Sequence, residues 1–267
     1  MPDEPELVSA SRLDDADLAA LFTAAYEGYL VPFVVDENAI RYLTDSYDLD
    51  RDASRIALRD GQQVGLANLG LRGQDAWIGG VGVVASERRR GTGRALMQAV
   101  HEEARSRGVE RIWLEVIVEY TQAIALYEQL GYGHVRDLEV WSLPGGAGTN
   151  GPPVAEVEAA EAHAWIREHR TEREPWQRDD ASLAKITDPR GLVVEGAAAV
   201  VRVSGTRVQL VQLEGHANAL RELLTAARSL GETLGILNLP SGHAGGAVLA
   251  ELGGTIDVRQ HEMVLRL

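Results

Sequence analysis

An arginine- and glycine-rich segment is the part of this 267-residue sequence that is best suited to bind an anion. Residues 88–93 read Arg-Arg-Arg-Gly-Thr-Gly and stand between an apolar run and a segment with helical periodicity. Glycine lets the backbone turn tightly against a ligand, and the start of a helix offers unpaired N–H groups at the positive end of its dipole. The segment therefore predicts a phosphate-binding loop. An arginine-rich helix start that only faces solvent is the alternative.

A carboxylate and a phenol downstream of this loop have side chains suited to acid–base chemistry. Glu115 lies in an apolar strand between Leu114 and Val116, and apolar neighbours can tune a carboxyl group to act as a general base. Tyr127 falls on the helix that follows this strand, from which its hydroxyl could protonate a leaving group. The residues alone also allow plain structural roles, as an outward strand residue and a packed helix tyrosine.

The pattern of apolar residues predicts alternating strands and helices over the first 143 residues. Asp14 is predicted to cap the first helix, and Asp60-Gly61 is predicted to form a hairpin turn. The predicted strands cover about residues 7–10, 56–59, 64–71, 77–84, 112–118 and 132–143. The predicted helices cover about residues 14–29, 37–45 and 122–130, together with one that follows the arginine-rich loop and ends near residue 107.

A proline- and glycine-rich stretch and an internal echo predict two related domains. Residues 144–153 contain four glycines and three prolines, which is typical of a linker. Residues 227–231 and 247–253 echo residues 104–108 and 125–131 at offsets of 123 and 122 residues. Duplication at a domain-sized spacing predicts two copies of one fold in tandem. We expect domains at 1–147 and 154–267, joined by a linker at 148–153.

Three motifs in the first domain resemble those of the GNAT N-acetyltransferases. The pattern Val83-x-Ala85-x-x-Arg88-x-x-Gly91-x-Gly93 resembles the acyl-CoA loop of that family. Trp-Leu-Glu-Val at 113–116 and Ala-Ile-x-Leu-Tyr-Glu-x-Leu-Gly-Tyr at 123–132 resemble its later motifs, and the likeness covers about residues 5–143. The resemblance implies an α/β (α+β) fold class: two tandem GNAT-like domains, each a mixed, mostly antiparallel sheet flanked by helices.

The resemblance also implies acetyl-CoA as co-substrate and assigns roles to matching residues. The backbone of residues 83–85 would pair with the pantetheine arm, and the N–H groups of residues 89–94 would hold the pyrophosphate. Tyr127 matches the family's general acid, and Glu115 matches the base of the ribosomal-protein alanine N-acetyltransferases. Tyr120 stands where the family usually has Asn, near the pantetheine, and Ile117 stands where the ribosomal-protein enzymes have Arg. The implied cofactor-binding residues are Val83, Val84, Ala85, Arg88, Arg89, Arg90, Gly91, Thr92, Gly93, Arg94 and Tyr120.

The expected reaction is transfer of an acetyl group from acetyl-CoA to a primary amine of a small molecule. The absence of cysteine favours direct transfer in a ternary complex, with the N–H of Val83 or Val84 stabilising the oxyanion. Tyr26, Tyr29 and Phe33 cluster where this fold has a loop over the acceptor, and they are candidate substrate-binding residues. The alternatives are a non-catalytic acyl-CoA sensor and a peptide or protein N-terminal acetyltransferase. The second domain is expected to be a degenerate copy, although both domains binding acyl-CoA is an open alternative.

Composition excludes several classes of partner and site. The chain has 26 Lys+Arg against 40 Asp+Glu, a net charge of −14, which disfavours nucleic acid and anionic membranes as partners. The lack of cysteine excludes disulfides and sulfur-ligated zinc, and the seven histidines show no metal-ligand spacing, so no metal is expected. With no visible signal peptide or membrane-spanning run, we expect a cytoplasmic bacterial protein, monomeric or homodimeric.

Overall fold

The computed structural model describes residues 4–30, 34–146 and 154–267. The chain divides into two compact units. Unit 1 comprises Met1–Val116, Tyr120–Val135 and Glu262–Leu267, and unit 2 comprises Ile117–Glu119 and Arg136–His261. The predicted linker at 148–153 lies outside the described residues.

Unit 1 has one sheet with helices, and its strands follow the order β1-β2-β3-β4-β5. Neighbouring strands are antiparallel except for β4 and β5, which are parallel. The end of the C-terminal strand, β12 Thr255–Arg266, lies beside β5 in this unit, where the N–H of Leu267 donates to the carbonyl of Glu110 at 2.9 Å. The elements are β1 Glu6–Ser9, α1 Asp15–Ala25, α2 Glu37–Tyr47, β2 Arg55–Arg59, β3 Gln62–Arg72, β4 Asp75–Val83, α3 Thr92–Ser106, β5 Arg111–Ile117 and α4 Thr121–Gln129.

Local sequence signals explain several of these boundaries. The carboxylate of Asp14 accepts from the N–H of Asp17 at 2.8 Å and caps α1, as predicted. Asp60 and Gly61 have φ of 51° and 75°, as a hairpin with two left-handed turn residues requires. The first helix is shorter than predicted, because α1 ends at Ala25 and the chain turns at Gly28 with φ 79°.

Unit 2 repeats this plan. Its strands follow the order β6-β11-β10-β9-β8-β7, and β10 and β11 form the parallel pair. Residues 136–144 cluster with this unit rather than with the first domain as predicted, because β6 forms an antiparallel ladder with β11. The elements are β6 Gly133–Pro144, β7 Ala155–Glu158, α5 Ala159–His169, α6 Asp180–Leu183, β8 Arg190–Val194, β9 Ala197–Ser204, β10 Arg207–Gly215, α7 Ala217–Arg228, β11 Thr233–Pro240, α8 Ala244–Glu251 and β12 Thr255–Arg266.

The two copies predicted from the sequence echo have matching elements. The echoed segments cover the C-terminal ends of α3 and α7 in one case and of α4 and α8 in the other. Each unit contains two clusters of buried apolar side chains. The predicted fold class, mixed and mostly antiparallel sheets flanked by helices, is confirmed.

A buried histidine in the core of unit 1 couples its stability to pH. His101 of α3 is 4% exposed, and one of its ring nitrogens shares a hydrogen bond of 2.9 Å with the hydroxyl of Tyr132. Burial, aided by the charge of Arg105, lowers the pKa of His101 to about 4. The folded protein therefore keeps this ring neutral at pH values where an exposed histidine is charged.

Replacing His101 by Gln should remove part of the acid sensitivity of folding. Because the folded pKa lies below the unfolded value, the unfolded chain binds more protons between about pH 6.5 and 4, and stability is lost as pH falls through that range. We expect the advantage of wild type over His101→Gln in free energy of unfolding to shrink between pH 7 and 4.5. Urea denaturation at several pH values measures it, and a constant difference would contradict the prediction.

Candidate active site

A cleft opens in unit 1 where β4 and β5 separate. The two strands pair only over Asp75–Trp77 and Arg111–Trp113. Past this point the register of β4 against β3 shifts between Ile78 and Gly80, which leaves Gly79 as a bulge. The bulge redirects β4, so the backbone edge beyond it faces the cleft rather than β5.

The backbone of Val83 faces this cleft. The N–H of Val84 donates to the carbonyl of Val64 at 3.0 Å, so it is bonded within the sheet. Because alternate residues of an antiparallel strand face opposite neighbours, the N–H of Val83 points away from β3. Of the two groups predicted for the oxyanion, Val83 therefore has the suitable orientation.

The arginine-rich loop forms the start of α3. Arg89 and Gly91 have φ of 60° and 86°, and α3 begins at Thr92, so the first N–H groups of the helix are at the end of the loop. The side chain of Thr92 is buried, so this residue offers a ligand its backbone alone. Ala85 lies in a short 3-10 turn that precedes the loop, and Gly93 lies in the first turn of α3.

The arginine side chains of the loop differ in environment. Arg88 turns inward: its Nε donates to the carbonyl of Val83 at 2.9 Å, and its Nη2 donates to the carbonyls of Ala25 and Glu27 at 3.1 and 2.7 Å. It thereby caps the end of α1. The remaining side chains lie nearer the surface: Arg89 is exposed, Arg90 pairs with Glu87 at 2.7 Å, and Arg94 donates to Gln129.

Tyr127 lies on α4 with a buried phenol. The residue is 7% exposed and packs against Tyr132 with ring centroids 5.8 Å apart. Burial, and secondarily the nearby Tyr29, raise the pKa of Tyr127 above that of a free phenol. The group is therefore protonated at neutral pH, as a proton donor must be.

Three further tyrosines line the region between α1 and α4. The rings of Tyr26 and Tyr29 lie 4.6 Å apart, and those of Tyr29 and Tyr120 lie 4.8 Å apart. The hydroxyl of Tyr120 accepts from the N–H of Leu30 at 2.5 Å. The ring of Tyr26 packs onto β4, where a Cβ at Gly80 would lie 2.8 Å from its hydroxyl oxygen. Of the predicted acceptor residues, Phe33 lies outside the described residues.

Glu115 is half-buried on β5 and is bonded to a residue that the sequence analysis missed. The indole N–H of Trp77 donates to Oε2 of Glu115 at 2.7 Å. The sequence alone indicates Trp77 only as the start of an apolar strand. The short parallel pairing of β4 with β5, which brings the two residues together, could not be inferred from either strand alone.

In unit 2 a turn of the chain itself lies at the point where β10 and β11 separate. β10 and β11 pair over Arg207–Leu210 and Thr233–Ile236, and β10 is also bulged just beyond its pairing. The short 3-10 turn Trp176–Arg178 is bonded to both strands. Its Arg178 carbonyl accepts from the Nε2 of Gln212 at 2.5 Å, and its Gln177 accepts from the Nδ2 of Asn238 at 3.1 Å.

The loop after β10 also differs from its counterpart in unit 1. Glu214 precedes Gly215, and His216 caps α7 with its Nδ1. An acidic residue therefore stands near the helix start that carries arginines in unit 1. A carboxylate near a helix start repels phosphate, whereas an arginine attracts it.

Comparison with known proteins identifies an acetyltransferase domain. Residues 17–132 match the model of the family described as acetyltransferase (GNAT) family. The [ribosomal protein bS18]-alanine N-acetyltransferase of Escherichia coli K12 is 41% identical over 58 residues, which are 22% of this chain and 39% of that protein. The chain thus spans about two-fifths of the length of this curated relative.

Solved structures match over the whole chain. The GCN5-related N-acetyltransferase from Sphaerobacter thermophilus has a TM-score of 0.71 at 17% identity and covers 100% of this chain and 96% of its own. A tandem GNAT protein from the clavulanic acid biosynthesis pathway has a TM-score of 0.64 at 15% identity, with 98% of each chain covered. At these identities the likeness establishes the fold.

Among the described residues, none of the helices combines the length and the apolar character that a membrane-spanning helix needs.

Alanine at the two loop glycines should have opposite effects on stability. Gly91 has φ 86°, so Gly91→Ala should lower the free energy of unfolding by about 1 kcal/mol. Gly93 is helical, and an added Cβ would meet only ordinary contacts at 3.8 Å, so Gly93→Ala should be neutral or stabilising by up to about 1 kcal/mol. Thermal denaturation of both variants measures this, and a stabilised Gly91→Ala would contradict the loop conformation.

Proposed function

We propose that unit 1, whose residues 17–132 match the model of the acetyltransferase (GNAT) family, transfers an acetyl group from acetyl-CoA to a primary amine of a small molecule. The observation that carries the proposal is the cleft between β4 and β5. The N–H of Val83 faces it, and β5 and the following helix carry Glu115 and Tyr127. The deprotonation of the amine and the protonation of the leaving thiolate then each have a candidate group.

The pantetheine arm would lie along the edge of β4 beside Val83, whose N–H points away from β3, as an added strand does. The start of α3 supports the pyrophosphate site, since its N–H groups and the dipole favour an anion. The side chain of Arg88 contributes indirectly, because its bonds to Val83, Ala25 and Glu27 hold the loop against α1. The proposed binding residues at the start of α3 would thus act through their backbone N–H groups. Arg88 acts through its side chain, which holds the loop in place.

The chemistry needs three proton transfers and one acyl transfer. Glu115, directly or through water, takes a proton from the acceptor ammonium, and the amine nitrogen attacks the thioester carbonyl. A C–N bond forms and the C–S bond breaks, while the N–H of Val83 stabilises the charge on the carbonyl oxygen. Tyr127 gives its proton to the departing thiolate. The second proton that the nitrogen loses on becoming an amide passes through water to the Tyr127 phenolate, which restores the phenol. The protein supplies no covalent intermediate.

A small-molecule acceptor fits this chain better than a ribosomal protein. Ile117 replaces the arginine of the ribosomal-protein enzymes, and the likeness to the bS18 enzyme covers 58 residues. In the motif resemblance, Glu115 and Tyr127 match the base and the acid of that class of enzyme, so a peptide N-terminus is the second candidate acceptor. A screen of CoA thiol release across amines, aminoglycosides, amino acids and peptides tests the proposal. Binding of acetyl-CoA without thiol release from any class would favour a sensor instead.

Removing the Tyr127 hydroxyl should lower turnover on the acceptor that the screen identifies. Because general acid catalysis contributes about 100-fold or more, Tyr127→Phe should reduce kcat by at least that factor and leave the acetyl-CoA affinity unchanged. The matched control is Tyr132→Phe, which removes a hydroxyl bonded to His101 and should reduce stability but not kcat. Equal kcat in wild type and Tyr127→Phe would exclude Tyr127 as the acid.

We propose that unit 2 is a degenerate copy that does not bind acetyl-CoA, so one molecule should bind per chain. The turn Trp176–Arg178 occupies the space between β10 and β11 that an added pantetheine strand would need. Calorimetric titration should give a stoichiometry of one. Gly93→Glu, which puts bulk and negative charge at the start of α3, should abolish that site. A second site, or binding that survives in Gly93→Glu, would show that unit 2 binds the cofactor.

A further inference from the structure

Two tryptophans stand opposite each other in the short ladder that holds β4 to β5. Trp77 pairs with Trp113 in register. The indole N–H of Trp77 donates to Oε2 of Glu115 at 2.7 Å, and that of Trp113 donates to Oδ1 of Asp75 at 2.8 Å. Each indole therefore binds a carboxylate of the neighbouring strand, and only one of these carboxylates lies on the open side of the ladder.

We propose that Trp77 is a positioning residue that holds the Glu115 carboxylate as an ionised base at the point where β4 and β5 part. This inference rests on the proposed role of Glu115. Trp77 is 6% exposed, and Tyr47 packs edge-on against its ring at 5.6 Å, so the donor is fixed in place. The indole N–H occupies one acceptor site on Oε2 of the carboxylate, which has about four such sites in all.

The bond controls both the direction and the charge of the base. An N–H bond to a carboxylate is stronger than one between neutral groups, and it favours the ionised form over the protonated one. Trp77 is the last residue of β4 in the ladder, and Glu115 lies two residues past Trp113 on β5. The bond therefore spans the first step of the strand separation and orients the carboxylate at the apex of the cleft.

Several charged or titratable groups lie around Glu115 on the elements packed against it. Glu262 of β12 stands opposite Glu115 in the sheet, because the N–H of Val118 donates to the carbonyl of Arg259 and that of Leu267 donates to the carbonyl of Glu110. Tyr47 of α2 faces Glu115, with Tyr42 and Arg72 beside Tyr47, and burial raises the pKa of Tyr47. Arg72 is paired with Asp48 at 2.7 Å. Asp75 is the other carboxyl group of the ladder, and it accepts from Arg111 as well as from Trp113. The variant Trp77→Phe leaves all of these neighbouring side chains in the protein.

The test compares the pH dependence of kcat/KM in two matched variants. Trp77→Phe keeps an aromatic ring against Tyr47 and removes the N–H donor, so the acidic limb should move up by about one pH unit. The KM for acetyl-CoA should not change. Trp113→Phe removes the equivalent donor from Asp75 and should leave the limb in place. An unmoved limb in Trp77→Phe, or an equal shift in both variants, would overturn the proposal.

Glu115→Gln separates this inference from the proposed function. If Glu115→Gln leaves the acidic limb unchanged, Glu115 is not the base and the proposed mechanism fails. If Glu115→Gln removes the limb and Trp77→Phe does not move it, the mechanism stands and the positioning role fails.

A second measurement does not depend on the Trp77 variant folding. In the wild-type protein the indole N–H proton resonance of Trp77 should change with pH at the midpoint of the acidic limb, and Glu115→Gln should abolish that change. A pH-independent resonance would overturn the proposal.

Discussion

The site of unit 1 depends on a parallel ladder that stops after three residues. Beyond Trp77 the bulge at Gly79 turns β4 away, and the ring of Tyr26 packs where side chains at Gly80 and Gly82 would stand. Glycine is required here because a Cβ would meet ring or helix atoms at 2.8–2.9 Å. The N–H of Val83 is thereby left facing away from β3, while the Val83 carbonyl on the same edge accepts from Nε of Arg88. The proposed roles of Glu115, Tyr127 and the start of α3 all depend on their position relative to that edge.

In both units two parallel strands separate after a short pairing, and the units differ in what lies at the point of separation. In unit 2 the strands also part after a short parallel pairing, yet buried Gln212 and Asn238 bind an inserted turn of the chain itself. Polar side chains buried between strands need partners, and here the chain supplies them. The same fold can thus have separated strands in one copy and packed polar side chains at the corresponding place in the other.

The sequence predicted what is local and missed what is produced by pairing. The cap at Asp14, the turn at Asp60-Gly61 and the glycines of the loop act through their own backbone, so type and spacing predict them. The bond from Trp77 to Glu115 requires the register of two strands 38 residues apart, which periodicity does not encode. Arg88 was expected among the cofactor ligands because of its motif, whereas its guanidinium bonds three carbonyls of the protein. The assignment of residues 136–144 to unit 2 follows from a ladder with β11, far along the chain.

Unit 1 is built from segments that lie both before and after unit 2 in the sequence. The last six residues, Glu262–Leu267, belong to unit 1, and Met263 and Leu265 are buried in its core. A gene cut at the proline- and glycine-rich stretch would encode a first half that lacks these two side chains and the backbone partner of Glu110. A first unit produced alone therefore needs residues 262–267 joined to it to complete its core.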